Sequence, residues 1–314
     1  MVSIVITLYN KETYIERAIK SALNQTYDNC EIIVVDDCST DNSKAICFKY
    51  NNVIKLFSNE TNQGLPKSRQ IGIKLAKGDF LTFLDADDYL SNDALSKCIE
   101  LQKTTQADII QMNIKRRITR FNIPVNFKSI YDSSHALNAC LYNEQFFPVH
   151  CCGKLYKTEL LRSIKPIQYN GFWGEDRIFN LPIFASQPKI EYVPSVKYNY
   201  RWSGSGATST SFNLDALQEY KQVYQIKSDW AKKYGYEHYI PAMQNELVEL
   251  LKYHIRHLIN SNTMSYDSAI DYLQNEMNQP FWNIFQLPPA ETLYKIEKKS
   301  ISRIAKKVIN NLIS

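Results

Sequence analysis

From Val2 to Leu90 the chain switches repeatedly between short β-branched, aliphatic runs and longer stretches in which apolar positions recur every three or four residues. The short runs, at 2–8, 32–35, 53–57 and 80–84, read as buried strands. The longer stretches predict helices over 11–23, where Ile15, Ala18, Ile19 and Ala22 share a face, over 44–49 behind the loop 39–43, and over 66–76. Strands alternating with helices imply an α/β domain, its mostly parallel sheet flanked by helices on both faces. Short crossovers predict that successive strands lie side by side.

Beyond Ser91 the pattern changes. A helix is expected over 95–102 and a strand over 107–113, followed by a polar, irregular stretch to Phe147. A second helix and strand are expected over 180–188 and 189–200. From Leu214 the spacing is helical, over 221–233, 243–259 and 266–277. We therefore divide the chain into an α/β region, 1–210, and a largely helical region, 211–314.

Composition is that of an ordinary globular protein, with 44% hydrophobic and 22% charged residues in 314. The chain enters a strand at once, without the basic segment of a secretory signal, and no apolar run is long enough to span a membrane. Seven scattered cysteines without a C-x-x-C pair point to neither a disulfide framework nor a zinc site, and suit a reducing compartment. Of the net charge of +5, much lies in Lys295, Lys298, Lys299, Arg303, Lys306 and Lys307. Ile296, Ile301, Ile304, Val308 and Leu312 alternate with these cations, predicting a basic amphipathic helix. Together with the aromatic run 281–285, this helix suits an anionic membrane surface; a helix docked on the protein itself has the same pattern. Basic charge without interleaved aromatics argues against nucleic acid.

The chemistry gathers at predicted strand ends. Asp85, Asp87 and Asp88 follow the strand at 80–84 and so lie at the carboxyl rim of the sheet, where open α/β folds place ligands. Clustered carboxylates repel one another unless a cation neutralises them, and hard divalent ions prefer their oxygens; capping of the next helix is the alternative. Thr7 and Tyr9 end the first strand, and Asp36 and Asp37 the second. Tyr9 can stack on a base and Asp37 can accept from a ring N–H, although an acid pair also simply ends a strand in a turn. A turn at 62–64 followed by Lys67 and Arg69 suits phosphate contact, as it suits any helix start.

In order, the segments 2–10, 21–27, 31–37, 39–43, 62–72 and 77–88 resemble the family 2 glycosyltransferases of GT-A fold. The resemblance implies a nucleotide-sugar donor, usually UDP-linked, and Mn2+ or Mg2+ bound by a D-x-D element, here Asp85-Ala86-Asp87. It also implies that Thr7, Tyr9 and Asp37 line the base pocket, with Ala86 and Arg69 also on the donor side. Segment 172–177 resembles the family's acceptor-side Glu-Asp motif, implying Asp176 as catalytic base and Glu175 as the residue orienting the acceptor. An acidic first helical turn is the plain alternative. Segment 198–205 resembles the loop that closes over the donor, implying that Arg201 contacts the diphosphate and Trp202 shapes a sugar pocket. The histidine that some relatives carry there is missing. The implied enzyme is an inverting UDP-hexosyltransferase, similar to β-1,3-galactosyltransferases of lipooligosaccharide synthesis. It would act on a glycan or glycolipid acceptor of a bacterial surface polysaccharide, as a cytoplasmic protein peripheral to the inner face of the membrane. Glucose, N-acetylglucosamine and N-acetylgalactosamine are the alternative sugars. Against a nucleotidyltransferase stands Tyr9-Asn10-Lys11-Glu12, where a Gly-rich basic loop is needed. A non-catalytic membrane scaffold is the alternative from another class.

Overall fold

The computed structural model describes residues 1–116, 133–142, 149–169, 171–201, 214–261, 265–285 and 287–299. The chain forms two compact units, Met1–Thr210 and Ser211–Ser314.

In the first unit, Val2–Leu8 (β1) has every side chain buried, as an uninterrupted apolar run demands of a strand covered on both faces. Its neighbours, Cys30–Asp36 (β2) and Phe80–Asp85 (β4), are parallel to it, and Lys55–Ser58 (β3) runs beside β2. The expectation that successive strands are adjacent fails at β3 and β4. With exposed and half-buried positions alternating, β3 suits a sheet edge, whereas β4 buries Leu81–Leu84 and inserts on the far side of β1. That reversal opens a crevice at the carboxyl ends of the strands. The register brings Thr7 opposite Asp85, and Leu8 opposite Asp36.

Beyond β4 the sheet continues through Lys154–Lys157 (β7), Ile109–Arg116 (β6), Ile190–Tyr200 (β8) and Tyr89–Leu90 (β5), in the order β3-β2-β1-β4-β7-β6-β8-β5. The pairings of β7 with β4 and β6, and of β5 with β8, are antiparallel; the others are parallel. A bulge interrupts the β6–β8 pairing, where Met112 faces Val193 but Asn113 faces Lys197. Through β5, the end of β8 lies alongside the residues that follow Asp85–Asp88, with Leu90 opposite Tyr198.

The helices hold the rim in place. Helix α1 (Ile15–Leu23) begins later than predicted, because Asn10 adopts a φ of 49° and the Lys11 carbonyl closes a turn on Tyr14 and Ile15. Helices α2 (Ser43–Phe48) and α3 (Leu65–Leu75) follow. On α3, Gly72 lies so close to β1 that a Cβ there would stand 2.2 Å from Val5 Cγ1. Only glycine permits that approach, and it presses the preceding turn, bearing Arg69, against the sheet. After α4 (Ala94–Thr105), α5 (Ser133–Tyr142) and α6 (Thr158–Ser163), helix α7 (Glu175–Ala185) begins five residues before the expected start at 180. Gly174, in the left-handed region at φ 79°, turns the chain into it. Pro182 sits inside α7, which is why the periodicity around it misplaces the helix.

The second unit comprises α8 (Leu214–Tyr234), α9 (Ile240–Ser261), α10 (Tyr266–Met277), a 3-10 turn at Pro280–Ile284 and a helix over 290–299 (α11). The run 281–285, expected at lipid headgroups, instead packs largely inside this unit. Trp282 is 2% exposed and donates to the buried Glu276, which also accepts from Lys221. Phe281 and Phe285 pack against Tyr224. Fully burying such a ring stabilises by about 1.5–3 kcal/mol. His254 is buried and meets Tyr272, a packing residue. The expected basic helix over 301–312 and Trp202 lie outside the described residues. Among the described residues no helix is long and apolar enough to cross a membrane.

Candidate active site

At the carboxyl rim, β1 and β4 end side by side, and the Thr7 hydroxyl lies 3.3 Å from Asp85 Oδ1. Beneath them is Arg69, a residue expected at a solvated helix start for phosphate contact. Instead it is 1% exposed. Its Nη1 is 2.9 Å from Asp176 Oδ1 and 4.0 Å from Glu175 Oε1, and its Nη2 is 3.7 Å from Asp85 Oδ1. The face of the Phe83 ring lies 5.9 Å from its guanidinium carbon. Neither Nε nor Nη1 makes an aligned hydrogen bond among the described residues. One buried cation thus joins the acidic ends of β4 and α7, which are distant in sequence.

The acids respond differently to this setting. Burial alone would push the Asp176 carboxyl up, but Arg69, His150 and the neighbouring donors hold it well below the usual carboxylate range. Its Oδ1 accepts the Cys151 N–H at 2.9 Å, and its Oδ2 lies 3.2 Å from His150 Nδ1. Glu175 is pushed up to about 8 by burial and by repulsion from Asp176, with Arg69 opposing. The two members of this first-turn pair are thus driven in opposite directions. Asp88, also raised to about 8 by burial and by the charges of Asp85 and Asp87, is held by Tyr198 Oη at 2.7 Å and the Arg201 N–H at 2.7 Å. Neither Asp87 nor Asp88 caps α4, whose N-cap is Asp93.

Oxygens suited to a hard cation are present. Asp85, Asp88 and Cys152 bring one potential ligand atom each within 4.8 Å of one another, but Asp88 and Cys152 are 1% and 2% exposed. Burial also keeps the Cys152 thiol protonated, and a thiol is a poor partner for Mg2+ or Mn2+. Asp85 and Asp87 keep side-chain exposures of 24% and 22%. Asp87 bonds to Lys11 Nζ at 2.7 Å, so a cation already sits against it. Two accessible carboxylates one residue apart fit a divalent ion better than the buried trio does.

Other expected site residues lie around this centre. Tyr9 is 45% exposed beyond β1. Asp37 is buried, accepting from Asn59 Nδ2, the Gln63 N–H and the Gly64 N–H, so it pins the loop before α3. A carboxylate has about four acceptor directions, so one is left for a ligand. Ala86 is buried, with its N–H on the Thr7 carbonyl. Arg201 stacks on Tyr14, its guanidinium carbon 3.5 Å from the ring centroid. No contact among the described residues joins Tyr9, Asp37 or Arg201 to Arg69. Local sequence assigns Lys11, His150, Cys151 and Tyr198 no role at these acids, because each meets its acid only through the fold.

A profile of the family described as Glycosyl transferase family 2 matches residues 3–164. An uncharacterized glycosyltransferase of Haemophilus influenzae is 47% identical over 103 residues, 31% of this chain and 40% of the relative. Poly(ribitol-phosphate) beta-N-acetylglucosaminyltransferase TarS of Staphylococcus aureus is 28% identical over 217 residues, 67% of this chain and 37% of the relative. The crystal structure of S. aureus TarS 1-349 in complex with UDP-GlcNAc is similar with a TM-score of 0.62 at 22% identity, covering 90% of this chain and 78% of that one. The shared architecture is the GT-A fold. This chain spans 40%, 27% and 30% of the length of three curated relatives it matches.

Proposed function

The chain belongs to glycosyl transferase family 2, and from that premise we propose that it moves a hexose from a UDP-sugar to a hydroxyl of a glycan or glycolipid acceptor, with inversion. The observation that carries this reading is the convergence of Asp85, from the donor-side D-x-D segment, and Asp176, from the acceptor-side helix, on buried Arg69.

Asp176, ionised in this setting, takes the proton of the acceptor hydroxyl as that oxygen attacks the anomeric carbon from the face opposite UDP. Its low proton affinity makes the transfer late, when the attacking oxygen has become acidic through bonding to carbon. Protonated Glu175 donates to an acceptor-sugar oxygen. Tyr9 stacks on the base, and Asp37 offers its remaining acceptor direction to the ring N–H, with Thr7 and Ala86 lining the donor side. Arg201, steadied on Tyr14, contacts the diphosphate. Asp85 and Asp87 would hold Mn2+ or Mg2+, whose charge offsets that developing on the diphosphate. Lys11 exchanges Asp87 for the diphosphate when that site is filled. We place the enzyme in bacterial surface-glycan synthesis at the inner face of the membrane, through 301–314.

Galactose is the donor expected from the sequence resemblance; N-acetylglucosamine is the sugar in the TarS complex. UDP release from a panel of UDP-sugars, with and without manganese, tests the reading. Manganese-stimulated release from one UDP-hexose supports it, and no release from any donor with any glycan acceptor overturns it.

A further inference from the structure

Asp176 is held on three sides. Arg69 Nη1 and the Cys151 N–H approach Oδ1, each at 2.9 Å, and His150 Nδ1 lies 3.2 Å from Oδ2. Of about four acceptor directions on a carboxylate, the Cys151 N–H takes one on Oδ1 and His150 one on Oδ2, while the Arg69 charge faces Oδ1. The second direction of Oδ2 is therefore the one turned away from the cation and open to a substrate hydroxyl. His150 therefore shares the oxygen that does the chemistry, and its placement sets where the remaining lone pair points.

His150 is itself fixed from two sides. Its ring stacks on Tyr200 at a centroid distance of 5.9 Å and an interplanar angle of 24°. Its carbonyl accepts from Lys154 Nζ at 2.5 Å. Lys154 is fully buried, and burial pulls its ammonium down to about 8. A charged amine is retained beneath the site although its desolvation is costly, and one of its partners is the His150 backbone. An ionised carboxylate only accepts, so the hydrogen between the two side chains belongs to Nδ1.

We propose that His150 is a positioning residue of the transfer reaction, its Nδ1–H aiming Oδ2 of Asp176 at the acceptor hydroxyl. This rests on the reading of Asp176 as the base. It assigns a role to a histidine in the loop before β7, which carries none of the sequence motifs. Nothing is transferred to or from His150: the acceptor proton goes to Asp176, and the imidazole keeps its own.

The test compares His150→Asn, His150→Gln and His150→Ala in the full chain. Asparagine sets an amide N–H near the place of Nδ1, and glutamine near that of Nε2. The expected result is a fall in kcat of about 10–100-fold for the Ala and Gln variants, as for a lost hydrogen bond to a charged group, with rescue by Asn. Donor affinity and acceptor KM should stay within about twofold of the parent, since His150 acts on the base and not on binding. Equal activity of the Asn and Gln variants, or no loss in any variant, overturns the proposal. Imidazole 15N–1H spectra supply a readout that needs no activity. The Nδ1–H tautomer is expected in the parent and its loss in Asp176→Ala; an Nε2–H tautomer in the parent overturns the assignment even if no sugar is transferred. Absence of transfer by the parent, with the expected spectra, counts against the proposed function alone.

Discussion

Replacing Arg69 by methionine is the sharpest perturbation of this site, because it keeps the bulk and removes a buried cation that touches three buried or half-buried acids, Asp85, Glu175 and Asp176. Unit charges about 3 Å apart attract by about 5–6 kcal/mol at an effective dielectric constant of about 20. Part of that offsets the cost of burying the guanidinium, and removing one partner of a buried pair costs about 3–5 kcal/mol in net stability. For a unit of this size, with a urea slope of about 2–3 kcal/mol per molar, the unfolding midpoint should fall by about 1–2 M at neutral pH. The pH dependence follows from Asp176. In the parent its folded proton affinity is depressed, so its contribution is present above the unfolded carboxyl range and is lost as pH falls toward the folded value. Without Arg69 that depression is smaller, although His150 and the Cys151 N–H remain, and the Asp85 carboxyl, already raised by burial, rises further, so the variant gains stability as pH falls. The gap between the two proteins should therefore narrow between pH 7 and pH 4. Urea titrations of the first unit at both pH values measure it. A midpoint shift below about 0.3 M, or a gap that does not change with pH, refutes the reasoning.

Further expectations concern the acids and the tail. Asp176→Asn should bind UDP-sugar normally yet lose about 10²–10⁴-fold in kcat, and near-normal turnover would remove it as base. Glu175→Gln should keep most activity at pH 7, because an amide N–H stands in for the carboxylic O–H. The parent should slow as pH rises through about 8, where Glu175 ionises, and this variant should not; identical profiles would rule out the donor role. Asp87→Ala should abolish manganese-dependent UDP binding, and calorimetry showing unchanged affinity would exclude the metal assignment. Deleting 301–314 should release the protein from anionic vesicles without slowing transfer to a soluble acceptor; unchanged co-sedimentation would exclude that segment as the membrane contact.

The parts of the fold legible in the sequence are those whose burial is continuous. β1, β2 and β4 are covered on both faces, so their apolar runs need no partner to be recognised. β7 and β5 are short, antiparallel insertions whose existence depends on β4, β6 and β8. Local sequence says little about them. The same division runs through the site. Asp85, Asp87, Glu175 and Asp176 stand out because several acids adjoin a strand end or helix start. What each acid meets is set by the sheet. Arg69 looked like a surface cation because its helix begins in a polar turn, and the contact of Gly72 with Val5 that buries it joins α3 to β1. Tyr198 reaches Asp88 across a sequence separation of 110 residues, and no local pattern announces it.

The interruption opposite Met112 and Asn113 has a parity. Between Val193 and Lys197 the skipped residues Pro194, Ser195 and Val196 are odd in number, so the inward side of β8 passes from odd to even positions: Val193 is buried before it, Val196 and Tyr198 after. An unbroken strand would turn Lys197 and Asn199 inward and swing the Tyr198 phenol to the opposite face, away from Asp88. Excising Pro194 or Ser195 alone would let plain alternation carry both Val193 and Tyr198 inward without the interruption; excising both would turn Tyr198 to the opposite side.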